Sequence, residues 1–499
     1  MLFRTDSSST TPASDSAVTP SDDHRHLLWA RGYLYTSIDV APPHPWWRSQ
    51  ELGGRTLHHD PRLGFAVACR GRSFVALLGI AVDIADWTTD LGGIAAKLLS
   101  RRRRSRDRMI EALDFVCGRY IVIDGRGSNV WVQSDATGMR PVHYSEKADA
   151  FSSHAHLLAE VTGAPRHPVF PDPNELFARH RTYALPGNLT PWDTVRTLTP
   201  NTDMHVPTKR VRRFYPRVEM ARRDPLEVID HLGPILESQL ELLSRDHRLL
   251  ISLTAGLDSR TTTAVSRSVA DRATYFCYEF PEVRQGRTGK KSRDSDVSRE
   301  LADKLGLDFR RVPMPYRYPE EPLLSITRAN ASLYSHPALG LSHLESGLDG
   351  YLHIRSNHYG IARRWYSVLG KVRTPVGPRE MARVLTELHG DGEPFVEEFG
   401  RFHDLVDFGA TEGLCDQHEL LYWEHRMGTW IGCFLAESDV AYETYTVVNA
   451  RHIYEWMMSV KAKLRRNGAV QRGLITAYWP EAMDFPVNGK LKDRFPQRA

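Results

Sequence analysis

The stretch from Leu226 to Leu305 constrains this chain more than any other. Leu226–Leu243 carries apolar residues at helical spacing. A compact apolar run follows at Leu249–Leu253, then a short turn, then a helical segment at Ser259–Ala270. A second apolar strand at Ala273–Phe280 leads to a helix at Ser295–Leu305. Strands alternating with helices in this way predict a parallel α/β sheet. Residues 320–482 read as mostly helical, with no internal repeat.

The first part of the chain has a different pattern. Short strands rich in β-branched and aromatic residues are predicted at Phe65–Cys69, Phe74–Leu78, Arg119–Ile123 and Val130–Gln133. Helices are predicted near 91–100 and 107–114. A Pro-rich stretch around 186–216 connects this region to the α/β part. Three segments result: a disordered 1–26, rich in Ser, Thr, Asp and Pro; a first domain over 27–212; and a second over 213–499.

Charge excludes some classes of function. The net charge is +4, and only 11 of the 65 basic residues are Lys. The Arg bias is spread along the chain, unlike the focused surplus of a nucleic-acid binder. The basic run Arg101–Arg108 reads as a solvated loop between two helices, with an anion patch as the alternative. Five widely spaced Cys without CxxC spacing predict neither a zinc site nor a disulfide framework. Cys69, inside a strand pattern, reads as core packing. Without a transmembrane run or a signal-like N-terminus, the expected location is cytoplasmic, with no membrane and no nucleic-acid partner.

The turn Leu253-Thr254-Ala255-Gly256-Leu257-Asp258-Ser259 carries the chemistry. A buried strand delivers the chain to small residues whose backbone N–H groups can approach an anion. The next helix points its positive end at the same place. Thr254 and Ser259 add hydroxyls, and Asp258 adds a carboxylate able to hold Mg²⁺ against phosphate oxygens. The alternative is an ordinary βα turn with a Ser/Asp helix cap. Gly286–Ser292 superficially suggests a P-loop but fails its spacing, because Lys291 stands where Ser or Thr is needed.

The turn resembles the SGGxDS pyrophosphate loop of the asparagine synthetase-type ATP pyrophosphatases, with Thr254 and Ala255 in place of Ser and Gly. Other segments resemble the family in the same order: Gly118-Arg119-Tyr120, Asp135 to Tyr144, Phe151-Ser152-Ser153, then Asp294, Ser298, Ala302 and Leu305-Gly306. The similarity spans roughly residues 27–495. It implies an N-terminal Ntn-hydrolase-like αββα sandwich and a C-terminal parallel sheet with helices of the adenine nucleotide α-hydrolase-like kind. It also implies ATP and Mg²⁺ as cofactors, Leu253 to Ser259 and Tyr278 as nucleotide contacts, and Asp258 as the metal ligand.

The chain departs from the family in two respects. A glutaminase of this type needs an N-terminal Cys, whereas this chain begins Met1-Leu2-Phe3, so no glutaminase activity is expected. That points to the branch similar to β-lactam synthetase and lasso-peptide cyclases. The acidic SGxGxDE-type motif is replaced by Arg355-Ser356-Asn357-His358-Tyr359-Gly360-Ile361, with Gly360 where the metal-binding Asp would stand. Asn357 and Tyr359 become catalytic candidates. Lys490, with Lys492 as alternate, resembles the family lysine near the phosphates. Glu424, Glu443 and Arg451 would wall the acceptor pocket, or form structural ion pairs.

The resulting expectation is an AMP-forming amide synthetase. It would adenylate a small-molecule or peptide carboxylate, pass the acyl group to an amine, and release pyrophosphate; a homodimer is compatible with it. The alternative is a degenerate nucleotide-binding scaffold in a biosynthetic pathway.

Overall fold

The computed structural model describes residues 22–172, 184–280, 290–314, 319–331, 338–363, 365–366, 375–386 and 392–488. The disorder expected for residues 1–21 lies outside these. Residues 22–27 form a 3₁₀ turn, not the disordered tail expected there.

The first half is built on two six-stranded antiparallel sheets. One runs β10(Val195–Thr197)-β8(His143–Ser145)-β9(Ala150–Ser152)-β1(Tyr33–Thr36)-β3(Arg55–His59)-β2(Arg48–Leu52). The other runs β12(Arg210–Arg213)-β11(Thr202–His205)-β7(Asn129–Ser134)-β6(Val116–Arg126)-β5(Ser73–Asp83)-β4(Phe65–Arg70). Alternation along β5 explains how they layer, because successive side chains face opposite ways. Phe74, Ala76 and Leu78 pack with Tyr33, Leu57 and Phe151 of the other sheet. Val75 and Leu77 face outward onto Ile94, Leu98 and Met109 of the helices Leu91–Arg104 and Arg106–Leu113. The helix Ala155–Thr162 covers the far side of the first sheet, against Leu34. Helix, sheet, sheet and helix therefore stack in that order.

Two expectations for this half need adjustment. Cys69 is exposed on β4, paired opposite Phe74, and is not core. The basic run is helical rather than a loop, and part of it is structural. Arg102 donates to the fully buried Asp124 at 2.6 Å, and Arg106 pairs with both Asp124 and Asp203 while lying over Trp131.

The second half is a five-stranded parallel sheet, β15(Asp308–Pro313)-β14(Ala273–Glu279)-β13(Leu249–Ser252)-β16(Leu352–Ile354)-β17(Glu443–Tyr445). All four pairings are parallel. Strand order in the chain thus reads 3-2-1-4-5, and the winding reverses between β13 and β16. The whole is a mixed α/β molecule. Among the described residues no helix is long and apolar enough to cross a membrane.

A single apolar core joins the halves, running from Ile94 and Leu113 through Cys117 and Tyr120 to Ile251 and Tyr445. Buried polar bonds cross the same boundary. Arg119 Nη2 donates to Asp439 Oδ2 at 2.7 Å, Arg140 Nη2 reaches Glu443 Oε2 at 2.7 Å, and Arg451 Nε reaches Asn201 Oδ1 at 2.8 Å. Asp135 accepts from the backbone of Thr137, Met139 and Arg140 and from Asn449 Nδ2. The Asp135–Tyr144 segment therefore shapes the seam between the halves.

Candidate functional site

In open α/β sheets, ligands bind outside the carboxyl ends of the strands where the winding reverses. Here that place lies between β13, which runs into Leu253–Ser259, and β16, which runs into Arg355–Arg363. Leu253 is held by its N–H to the Phe276 carbonyl at 2.8 Å. Gly256 caps the helix Leu257–Val265 with extended backbone and no side-chain cap. The first-turn N–H groups are therefore left to face the crevice.

Hydroxyls hold the turn in shape. Thr254 Oγ1 lies 2.9 Å from Ser259 Oγ and accepts from the Gly256 N–H at 3.1 Å. The Thr254 N–H donates to Ser259 Oγ at 3.1 Å. Among the described residues, a Cβ on Gly256 would meet Thr254 Oγ1 at 3.1 Å and Asn488 Oδ1 at 3.9 Å. Across the crevice, Ser356 Oγ donates to Thr262 Oγ1 at 2.9 Å, which fastens the β16 turn to the β13 helix.

The C-terminal segment completes the wall. Asn488 N–H donates to the Ala255 carbonyl at 3.0 Å. Lys490 and Lys492 follow it in sequence and lie outside the described residues, as does most of Gly286–Ser292.

The other expected residues fall in different places. Asp258 is partly exposed at the site, and its Oδ1 lies 3.0 Å from Arg363 Nη1. Asn357 is exposed at the start of the 3₁₀ segment Asn357–Arg363. Tyr359 is fully buried, and burial raises its phenol above the usual range. Burial, helped by Arg355, pushes the neighbouring His358 down to about 3, so it is a neutral ring. Tyr278 hydrogen-bonds His343 Nε2 at 2.8 Å on the opposite sheet face from Tyr275 and Cys277. Glu424 does not join this group. It is buried in a pair with Arg213, Nη1 to Oε1 at 2.6 Å, and accepts from Asn201 at 3.1 Å. Glu443 and Arg451 are likewise spent on the seam between the halves. These three side chains have the structural partners that were the alternative to an acceptor-wall role.

Sequence reasoning missed Arg363, Arg260 and Tyr422. Arg260 is fully buried and donates to the carbonyls of Ala482, Phe485 and Pro486. Burial pulls its guanidinium down to about 10. Tyr422 begins a ten-residue π-helix, Tyr422–Ile431, a rare form that recurs at functional sites. A Cβ on Gly360 would lie 3.2 Å from the Tyr422 hydroxyl, a tight approach that a side chain there could relieve only by shifting Tyr422.

Whether Mg²⁺ fits can be judged from these donors. Among the described residues, no three His, Cys, Asp or Glu side chains are grouped to hold a metal. Asp258 Oδ1 is met by the Arg363 guanidinium. The described residues do not make a ready site for a divalent ion.

No protein-family model and no curated protein matches this chain.

Proposed function

We propose that the chain is an ATP-dependent, AMP-forming amide synthetase. A substrate carboxylate attacks the α-phosphorus of ATP, and an acyl-adenylate forms as pyrophosphate leaves. An amine then attacks the acyl carbon and AMP departs. The observation that carries this reading is the Thr254–Ser259 turn with an uncapped helix N-terminus at the reversal of a parallel sheet, where polyphosphates bind. The residues supply positioning and charge. The backbone of Ala255 to Asp258 and the hydroxyls of Thr254 and Ser259 cradle the phosphates.

The test is ATP protection in thermal unfolding, followed by product analysis. A ligand at about 100 times its Kd stabilises by ~2.7 kcal/mol. AMP formed in step with an amide supports the reading, and ADP or the absence of protection overturns it. A second reading, a nucleotide-binding scaffold, is favoured by the Asp258–Arg363 pair and by the commitment of Glu424 to Arg213. ATP protection without turnover for any carboxylate and amine would select it.

A further inference from the structure

We infer that the phosphate site is balanced by arginine and binds polyphosphate, as ATP or pyrophosphate, without a divalent cation. The inference rests on the nucleotide reading above and concerns how that site handles charge. A metal-dependent site presents carboxylates that repel phosphate until a cation arrives between them. This site is arranged the opposite way. The carboxylate within the turn, Asp258, is met by Arg363 Nη1 at 3.0 Å. Arg260, two residues further along the same helix, is a buried guanidinium bonded to three carbonyls, so its charge is not cancelled by a hydrogen-bonded acid. The acid whose charge acts on it is Asp294.

A side chain at the Gly360 position would also be crowded. Gly360 sits under the Tyr422 hydroxyl, and Arg426 lies beside Tyr422 on the π-helix. The described charges named around the turn are therefore Asp258 and Asp294 against Arg260, Arg363 and Arg426. A net positive crevice with a helix N-terminus attracts an anion directly, and a guanidinium offers phosphate a planar fork of donors. Asp258 then acts as the counter-ion that positions Arg363.

The two arrangements predict opposite signs for one substitution. Binding of inorganic pyrophosphate and of ATP is measured by calorimetry on the full chain, in EDTA and with Mg²⁺. Wild type is expected to bind in EDTA within about threefold of its affinity with Mg²⁺. Asp258→Asn should tighten binding in EDTA several-fold by removing a repelling charge, and Arg363→Ala should weaken it about tenfold, while Arg363→Lys retains part of it. Binding that requires Mg²⁺ and is lost in Asp258→Asn overturns the inference and leaves the nucleotide reading standing. Failure of both probes under both conditions overturns the nucleotide reading itself. The wild-type comparison needs no variant, so a misfolded substitution does not blunt the test.

Discussion

Arg260 Nη1 lies 2.8 Å from the carbonyl oxygen of Phe485, a residue 225 positions further along the chain. With the bonds to Ala482 and Pro486, this one side chain ties the C-terminal segment to the helix that follows the phosphate turn. Asn488 then meets Ala255, and the turn acquires a wall that its own sequence does not provide. The position of the tail is thus a property of the helix, set by a charge placed where only carbonyls can satisfy it.

Removing that charge should loosen the tail. Arg260→Met leaves three carbonyl oxygens without their donor, and lost bonds to a charged group cost about 1.5–3 kcal/mol each at most. A loss of about 3 kcal/mol in urea unfolding is expected. Limited proteolysis should also release the segment after Tyr478 faster than in wild type. Unchanged stability with unchanged cleavage would show that the tail is held by other contacts.

The seam between the halves makes a second prediction. Arg119 and Arg140 are each 1% exposed and share Asp439 and Glu443. Asp439→Ala leaves two buried guanidiniums to one carboxylate, and breaking such a buried pair costs about 3–5 kcal/mol. Because one core crosses the seam, the loss should appear in a single shifted transition rather than in the early melting of one half. Two separated transitions in the calorimeter would contradict this.

Asp114 gives a pH dependence. Burial pushes its carboxyl from 3.8 to about 6, outweighing the pull of Arg451 and of Arg217, whose Nη1 sits 2.7 Å from Oδ2. The native state therefore binds this proton more tightly than the unfolded chain, and stability from the group is lost as pH rises from about 4 through 6. The size is on the order of 2–3 kcal/mol. Asp114→Asn cannot titrate, so its stability relative to wild type should rise by that amount between pH 4 and pH 7. Parallel pH profiles for the two proteins would refute the assignment.

The basic run separates residues that look alike in sequence. Arg103 is exposed, whereas Arg106 serves two carboxylates that are fully buried. Arg103→Ala should change stability by less than about 0.5 kcal/mol. Arg106→Ala should cost about 3 kcal/mol, because Asp124 keeps only Arg102 and Asp203 keeps only Arg212. Urea titrations of the two variants measure the difference.

Legibility followed the range of the interactions. The strand at Leu249–Ser252, its successor at Ala273–Glu279 and the turn between them were readable because each is set by adjacent residues. Strands β1 to β3 were not, since their short runs of Tyr, Arg, Gln and His carry no clean alternation. Glu424 and Asp258 show the limit most clearly. Each is an acid in a plausible motif, and their different roles are decided by Arg213 and Arg363, partners 211 and 105 residues away. The helical count around 422–431 was read correctly as helix, yet the π form, which brings Tyr422 over Gly360, has no local sequence signal.

The Leu253–Ser259 turn, proposed above to bind phosphate, allows a test in which folding and binding separate. Gly256 has φ −76° and ψ 159°, a conformation open to any residue, so its glycine is not required by the backbone. Among the described residues, an added Cβ meets Thr254 Oγ1 at 3.1 Å and Asn488 Oδ1 at 3.9 Å. Gly256→Val should therefore change stability by less than about 1 kcal/mol while filling the volume where backbone N–H groups approach a phosphate. ATP affinity is expected to fall by about tenfold or more, the loss of one well-placed charge-assisted hydrogen bond. Chemical denaturation and calorimetric titration of the same preparation read the two quantities independently. A stable variant that still binds ATP with wild-type affinity would move the nucleotide away from this turn.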